Sequence, residues 1–123
     1  MRRRRRRAGA RSRPSRVYTI YVVELHERAW ERSPKLRAAN PDGRPDRPCV
    51  YVGSTVKTPE ERLEVHRRGV MQSAKIVFRY GRELRRDLYV DLPPICTTRA
   101  DAEAAERRHA ERLRRRGVRV WQG

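Results

Sequence analysis

Long apolar runs are missing from this chain. No stretch approaches the roughly 20 consecutive apolar residues that a bilayer-crossing helix needs, so no membrane partner is expected. Cysteine is scarce: Cys49 and Cys96 stand apart, with no CxxC and no Cys-His cluster. That spacing argues against both a disulfide framework and a zinc site. The basic N-terminus is not followed by an apolar segment, so a secretory signal is not expected and the cytoplasm is the expected compartment. Apolar residues make up 37% of the 123 and charged residues 38%. A chain of that size and balance builds one domain with a modest core. Lysine is also rare: only Lys35, Lys57 and Lys75 stand among 32 basic residues, a skew that a GC-rich coding bias would also produce.

Acids are in short supply, 15 against the 32 cations, for a formal net charge of +17. Such a chain seeks polyanions, and nucleic-acid phosphate is the commonest of these. Nine arginines fall in residues 1–16, which hold no acid, yet the remainder still carries an excess of positive charge. Residues 1–16 have almost no apolar content and read as a disordered Arg-rich arm, or as the product of a start codon upstream of the real domain. Arg2, Arg3, Arg4, Arg5, Arg6 and Arg7 in the arm, with Lys57, Arg67 and Arg68 in the body, are the candidate phosphate contacts.

The expected fold class is α+β, a small three-stranded, mainly antiparallel sheet flanked by helices, over residues 17–123. Val17 to Leu25 is β-branched and aromatic almost throughout and reads as a buried central strand. Residues 26–48 are polar and rich in Pro and Gly. They read as an insertion, with one short helix between Ala29 and Ala39 and loop from Asn40 to Pro48. Cys49 to Gly53 is a second strand, paired with the first as a hairpin. Thr58, Pro59 and Glu61 form a capping-box start for a helix that runs to Arg68 and stops at Gly69. Gln72 to Tyr80 reads as a short helix, Leu84 to Leu92 as a third strand broken by Pro93-Pro94. Thr98 caps a last helix reaching Arg116, and Val118 to Trp121 can pair or pack as a final strand.

Chemistry-bearing residues concentrate after the second strand. Tyr51-Val52-Gly53 closes that strand, and Arg62 and His66 follow four residues apart on one flank of the next helix. In the last helix Ala102, Ala105, Glu106, His109 and Leu113 share one stripe. A carboxylate on a buried stripe is costly unless paired or bound to a cation, so Glu106 is either a metal ligand or half of a salt bridge, for instance with Arg62. Each residue alone has a bland reading: strand tyrosines pack, arginines are solvated, and a strand-end glycine marks close backbone approach. Trp121 either closes the edge of the core or stacks on a base. His26 and His109 receive no role.

Thr19-Ile20-Tyr21, Tyr51-Val52-Gly53, Arg62, His66 and Glu106, taken in that order, resemble the GIY-YIG nuclease domain, as in the N-terminal incision domain of the excision-repair endonuclease and in several homing endonucleases. The resemblance spans residues 17 to about 121, excluding 26–48. It implies a divalent-metal-dependent endonuclease hydrolysing nucleic-acid phosphodiester bonds, with DNA the favoured substrate. Tyr21, Tyr51 or both would activate the attacking water, and His66 would assist. Arg62 would bind the scissile phosphate, and Glu106 would hold one Mg²⁺ or Mn²⁺ ion. Thr19 stands where the first signature has glycine, the spacer between the two tyrosines is long, Ser54 replaces a lysine seen in some members, and no asparagine follows Glu106. The alternative is a catalytically inactive nuclease-fold module that binds DNA or RNA; a basic RNA-packaging protein is a third reading. One active site nicks one strand, so cutting both implies a homodimer or a partner protein.

Overall fold

The computed structural model describes residues 15–70 and 74–123. Arg2 to Arg7 therefore lie outside the described residues, as does Gln72, the expected start of the second short helix. The class is α+β. The elements are β1 (Arg16–Leu25), α1 (Arg28–Arg32), α2 (Pro34–Ala39), β2 (Cys49–Thr55), α3 (Pro59–Arg68), α4 (Lys75–Tyr80), β3 (Gly81–Leu84), a 3₁₀ turn (Arg86–Leu88), β4 (Ile95–Thr97), α5 (Arg99–Arg115) and β5 (Arg119–Gln122). No helix among them is long and apolar enough to cross a membrane.

The sheet is larger than the three-stranded expectation. Five strands form it among the described residues, in the order β3-β1-β2-β5, with β4 pairing the start of β1. It is mixed: β1 runs antiparallel to β2, β3 and β4, whereas β5 runs parallel to β2. The parallel strand follows from the return path, because α5 carries the chain back along the sheet before Gly117 (φ +83) turns it into β5.

The expected third strand at 84–92 is not formed. Its start belongs to β3, which ends at Leu84. Arg85 then grips Asp87 with two bonds of 3.0 and 2.9 Å, and Leu88 N and Tyr89 N bond back to the carbonyls of Arg85 and Arg86. The apolar alternation is met by turns that drop Leu88, Tyr89 and Leu92 against the core. Pro93 and Pro94 withhold N–H donors, so strand pairing resumes only at Ile95.

The alternation in β1 and β2 divides the core. Ile20, Val22, Val50 and Val52 face Ala105, Ala110 and Leu113 of α5. Tyr21, Val23, Leu25, Cys49 and Tyr51 face the other way, against Ala29, Leu36, Leu63 and Val77 of the shorter helices. Residues 26–48 are thus anchored to the core through Ala29 and Leu36, with Trp30 packed against it, while most of the segment is exposed. Ser33 and Pro34 split the single expected helix in two, the Ser33 side chain capping α2 by accepting from Leu36 N. Leu36 is fully buried, a contribution of about 2 kcal/mol.

A polar latch holds this segment to β5. Arg119 is 2% exposed and forks onto Glu27 at 2.6 and 2.9 Å. It also donates to Arg47 O and stacks over the Trp30 ring at 5.0 Å. Asn40 donates to Leu36 O and Val120 O, and accepts from Val120 N and Arg114 Nε.

Candidate functional site

Register puts the two tyrosines together. Tyr21 pairs with Gly53 across the ladder and Val23 with Tyr51, so Tyr21 and Tyr51 are diagonal neighbours on one face. Their ring centroids lie 6.1 Å apart at a 49° tilt. Gly53 has the close approach that a strand-end glycine suggests: a Cβ there would sit 2.8 Å from Tyr21 Oη and 2.9 Å from Tyr51 Cε2. Only a missing side chain lets both phenols lie over that point of β2.

His66 enters from α3 and is completely buried. Its Nδ1 accepts the Ala74 N–H at 3.0 Å, and its Nε2 lies 2.8 Å from Tyr21 Oη. A nitrogen that accepts a backbone N–H carries no proton, so the proton of the neutral ring sits on Nε2 and is donated to Tyr21. Burial first, and then the charge of Arg62, push the His66 pKa down to about 4. Burial, with a smaller contribution from Tyr51, holds Tyr21 well above the ordinary phenol range. Tyr51 is also raised, by burial and then by the Glu106 charge, but a hydrogen bond from Tyr21 and the charge of Arg62 pull the other way. The polar chain therefore has a direction, Ala74 N–H to His66 and His66 to Tyr21, and Tyr51 lies beside its end.

Arg62, one turn before His66, is half-buried and acts on Tyr21 through both charge and hydrogen bonding. Glu106 reaches the same place from α5 at 4% exposure. Ser54 Oγ donates to its Oε2, and Gln122 Nε2 donates to Oε1 at 2.9 Å. Tyr21, Tyr51, Arg62 and Glu106 all line one cleft of about 220 Å³, together with Ser54 near the end of β2. The sequence-derived set is thus brought together, with His66 behind Tyr21 rather than in the cleft wall.

The cleft's donors suit a hard cation. No group of three or more His, Cys, Asp or Glu forms a metal cluster among the described residues. Glu106 shares the cleft with Glu103 and Ser54, all oxygen donors. Mg²⁺ keeps several waters and is commonly held by one or two carboxylates together with substrate phosphate, so this set fits Mg²⁺ or Mn²⁺.

The candidate phosphate contacts divide. Lys57 lines a second recess of about 500 Å³ with Arg16, Arg62 and Arg99. Arg62, Arg99, Tyr18 and Ser54 are walls of both the recess and the cleft. Arg67 turns away instead, donating to Arg82 O at 2.8 Å, and neither it nor Arg68 lines either space. Arg99, Ser54 and Gln122 carried no functional reading in the sequence, and Arg16, counted there with the disordered arm, opens β1 instead. Ser54 adjoins the second signature and was within reach of one; Gln122 meets Glu106 only through the parallel pairing of β5. His109 is structural, donating from Nε2 to Leu88 O at 2.7 Å, and His26 is exposed.

No protein-family model, no curated protein and no solved structure matches the chain.

Proposed function

We propose that the chain is a GIY-YIG-like endonuclease that uses a divalent cation to hydrolyse phosphodiester bonds, with DNA the favoured substrate. One observation carries the reading: both phenols, the Arg62 guanidinium and the Glu106 carboxylate line a single cleft small enough to bring all four to one phosphate group.

The hydrogen-bond chain assigns the phenols different tasks. Tyr21 already accepts from His66 and is driven furthest from ionisation by burial. It therefore serves as a positioning residue beside Tyr51, the two rings 6.1 Å apart. Tyr51 lies beside the end of the chain, and a phenolate there would be held by the Tyr21 hydroxyl and by Arg62. Once its own proton has gone to solvent, the Tyr51 phenolate would take the proton of the attacking water and return to the neutral phenol, while Arg62 binds the phosphate and offsets the charge that grows on it. Glu106, with Glu103 and Ser54 beside it, would hold Mg²⁺ or Mn²⁺. That ion would supply Lewis-acid stabilisation of the phosphate and the leaving oxygen. Ser54 and Gln122 fix the Glu106 rotamer, so the carboxylate is set before substrate arrives.

Purified protein with Mg²⁺ or Mn²⁺ is expected to nick at least one of duplex, branched or single-stranded DNA, and Glu106→Gln to lower cleavage by about 10³-fold while keeping the melting temperature. Gln is isosteric and can still meet both Ser54 and Gln122. Equal inertness of wild type and variant on all three substrates would overturn the enzyme reading; salt-sensitive binding with no cleavage would leave a nucleic-acid-binding module.

A further inference from the structure

A third recess adjoins the cleft at Trp121 and shares no residue with the one lined by Arg16 and Lys57. It is a groove of about 600 Å³ between the start of α2 and α4, within the roughly 300–1,000 Å³ typical of small-ligand pockets. Its walls include Pro34, Ile76, Tyr80 and Trp121. Arg32, Lys35, Lys75 and Arg79 also line it, and no acid does. Among the described residues none of these four cations takes part in an ion pair. Trp121 is a wall of both groove and cleft, so the two spaces meet at this residue. Its place is fixed by backbone, because it pairs with Tyr51 in the β2–β5 ladder.

We propose that this groove is a subsite for an unpaired nucleobase, stacked on Trp121, from a single-stranded segment whose adjoining phosphate sits in the cleft. The charge selects a polyanion, and the apolar aromatic lining selects the flat face of its base. Together they describe single-stranded nucleic acid, which tracks along cations while its bases stack on aromatic side chains. A paired base has its faces covered by its neighbours and must be extruded to enter such a pocket. The two flanks of the cleft therefore treat the strand differently. On the Arg16, Lys57 and Arg99 side the lining offers charge for backbone phosphates; on the Trp121 side it offers a face for one base. The substrate class is then DNA with unpaired nucleotides beside the cleavage point, such as a flap, a bubble or a single-stranded end. Placing the base next to the scissile phosphate rests on the nuclease reading; the stacking site itself does not.

Binding of the full-length Glu106→Gln protein to labelled oligonucleotides, followed by anisotropy without divalent cation, tests this. The probes are a short single strand, an abasic strand of the same length and charge, and the matching duplex. The expected result is about tenfold tighter binding of the base-bearing strand than of the abasic one, with weaker binding of the duplex. Trp121→Ala should erase that preference, Trp121→Phe should keep most of it, and Lys35→Ala should weaken the two single-stranded probes alike. Equal affinity for base-bearing and abasic strands, or a preference that survives Trp121→Ala in a protein with unchanged melting, would overturn the proposal. A base preference in a protein whose wild type cleaves nothing would sink the nuclease reading and leave the subsite standing. Cleavage of intact duplex without any base preference would do the reverse.

Discussion

Two buried polar clusters hold this molecule together, and they differ in what they leave over. In the latch, Arg119 and Asn40 spend their bonding capacity on the protein. Asn40 makes four bonds, two given and two accepted, and Arg119 donates four times to Glu27 and Arg47. In the cleft, Glu106 takes one protein bond on each oxygen, although each oxygen can accept two. The chain from Ala74 through His66 and Tyr21 ends on a phenol that lines open space. Burial of polar groups does not by itself mark a site, since both clusters are buried. Unused capacity facing a cavity does.

The sharpest way to break the comparison is to cut each cluster once. Glu106→Gln is expected to lower cleavage by about 10³-fold with little change in stability. Arg119→Met is expected to cost about 3 kcal/mol of stability, because it strips bonds from Arg47 O and Glu27 and the stacking on Trp30. Cleavage per folded molecule should survive. Denaturant melts and single-turnover rates of both proteins decide this; a Glu106→Gln protein as unstable as Arg119→Met would make the cleft a second latch.

A smaller effect probes the directional chain. His66 titrates near its ordinary value of 6.5 when unfolded and near 4 when folded. The native state therefore binds fewer protons between those values, and stability falls as pH drops through that window, levelling off below the lower one. The loss is about 3 kcal/mol. Protonation also destroys the acceptor for Ala74 N–H, so it reverses the bond that fixes the tautomer. His66→Gln, whose amide can accept and donate in the same places, should lose markedly less between pH 7 and pH 4 than wild type in urea titrations. Parallel loss in the two proteins would mean that His66 is not held neutral.

Local chemistry made much of this legible. The capping box at Thr58 and Glu61, the αL stop at Gly69 and the Thr98 cap are set by neighbours in sequence, and the structure has all three. The stripe on α5 put Glu106 on a buried face because helical spacing is rigid. Pairing across distance was harder to read. Nothing local states that β5 runs parallel to β2, so Gln122 could not be matched to Glu106, nor Trp121 to Tyr51. Polar composition concealed the role of residues 26–48, where Ala29 and Leu36 supply the core contacts and Asn40 and Glu27 fix the segment through bonds to β5 and Arg119. The pattern at 84–92 misled because turns place alternating apolar residues inward as well as a strand does.

A backbone approach supplies the third break. Gly53→Ala puts a Cβ within 2.8 Å of Tyr21 Oη and 2.9 Å of two further tyrosine carbons. The rings must shift, at about 1–3 kcal/mol, and the Tyr21–Tyr51 alignment shifts with them. Cleavage is expected to fall by more than the stability loss explains, at temperatures where the variant is fully folded. An unchanged rate would show that the spacing of the two phenols does not matter to the chemistry.

The smallest effect separates two cations that look alike in the sequence. Lys57 is exposed beside Arg16 and Arg99 in the recess that continues the cleft. Arg67 already donates to Arg82 O and lies 3.9 Å from Glu83, off that track. If the recess carries backbone phosphates, Lys57→Ala removes one phosphate contact. It should weaken binding a few-fold regardless of sequence and reduce the salt slope of log K by about 1. Arg67→Ala should leave the slope where it was, because an arginine committed to β3 releases no counterion from the strand. Salt titrations of both variants against one probe measure the difference directly, and equal slopes would move the phosphate track off the face that Lys57 shares with the cleft.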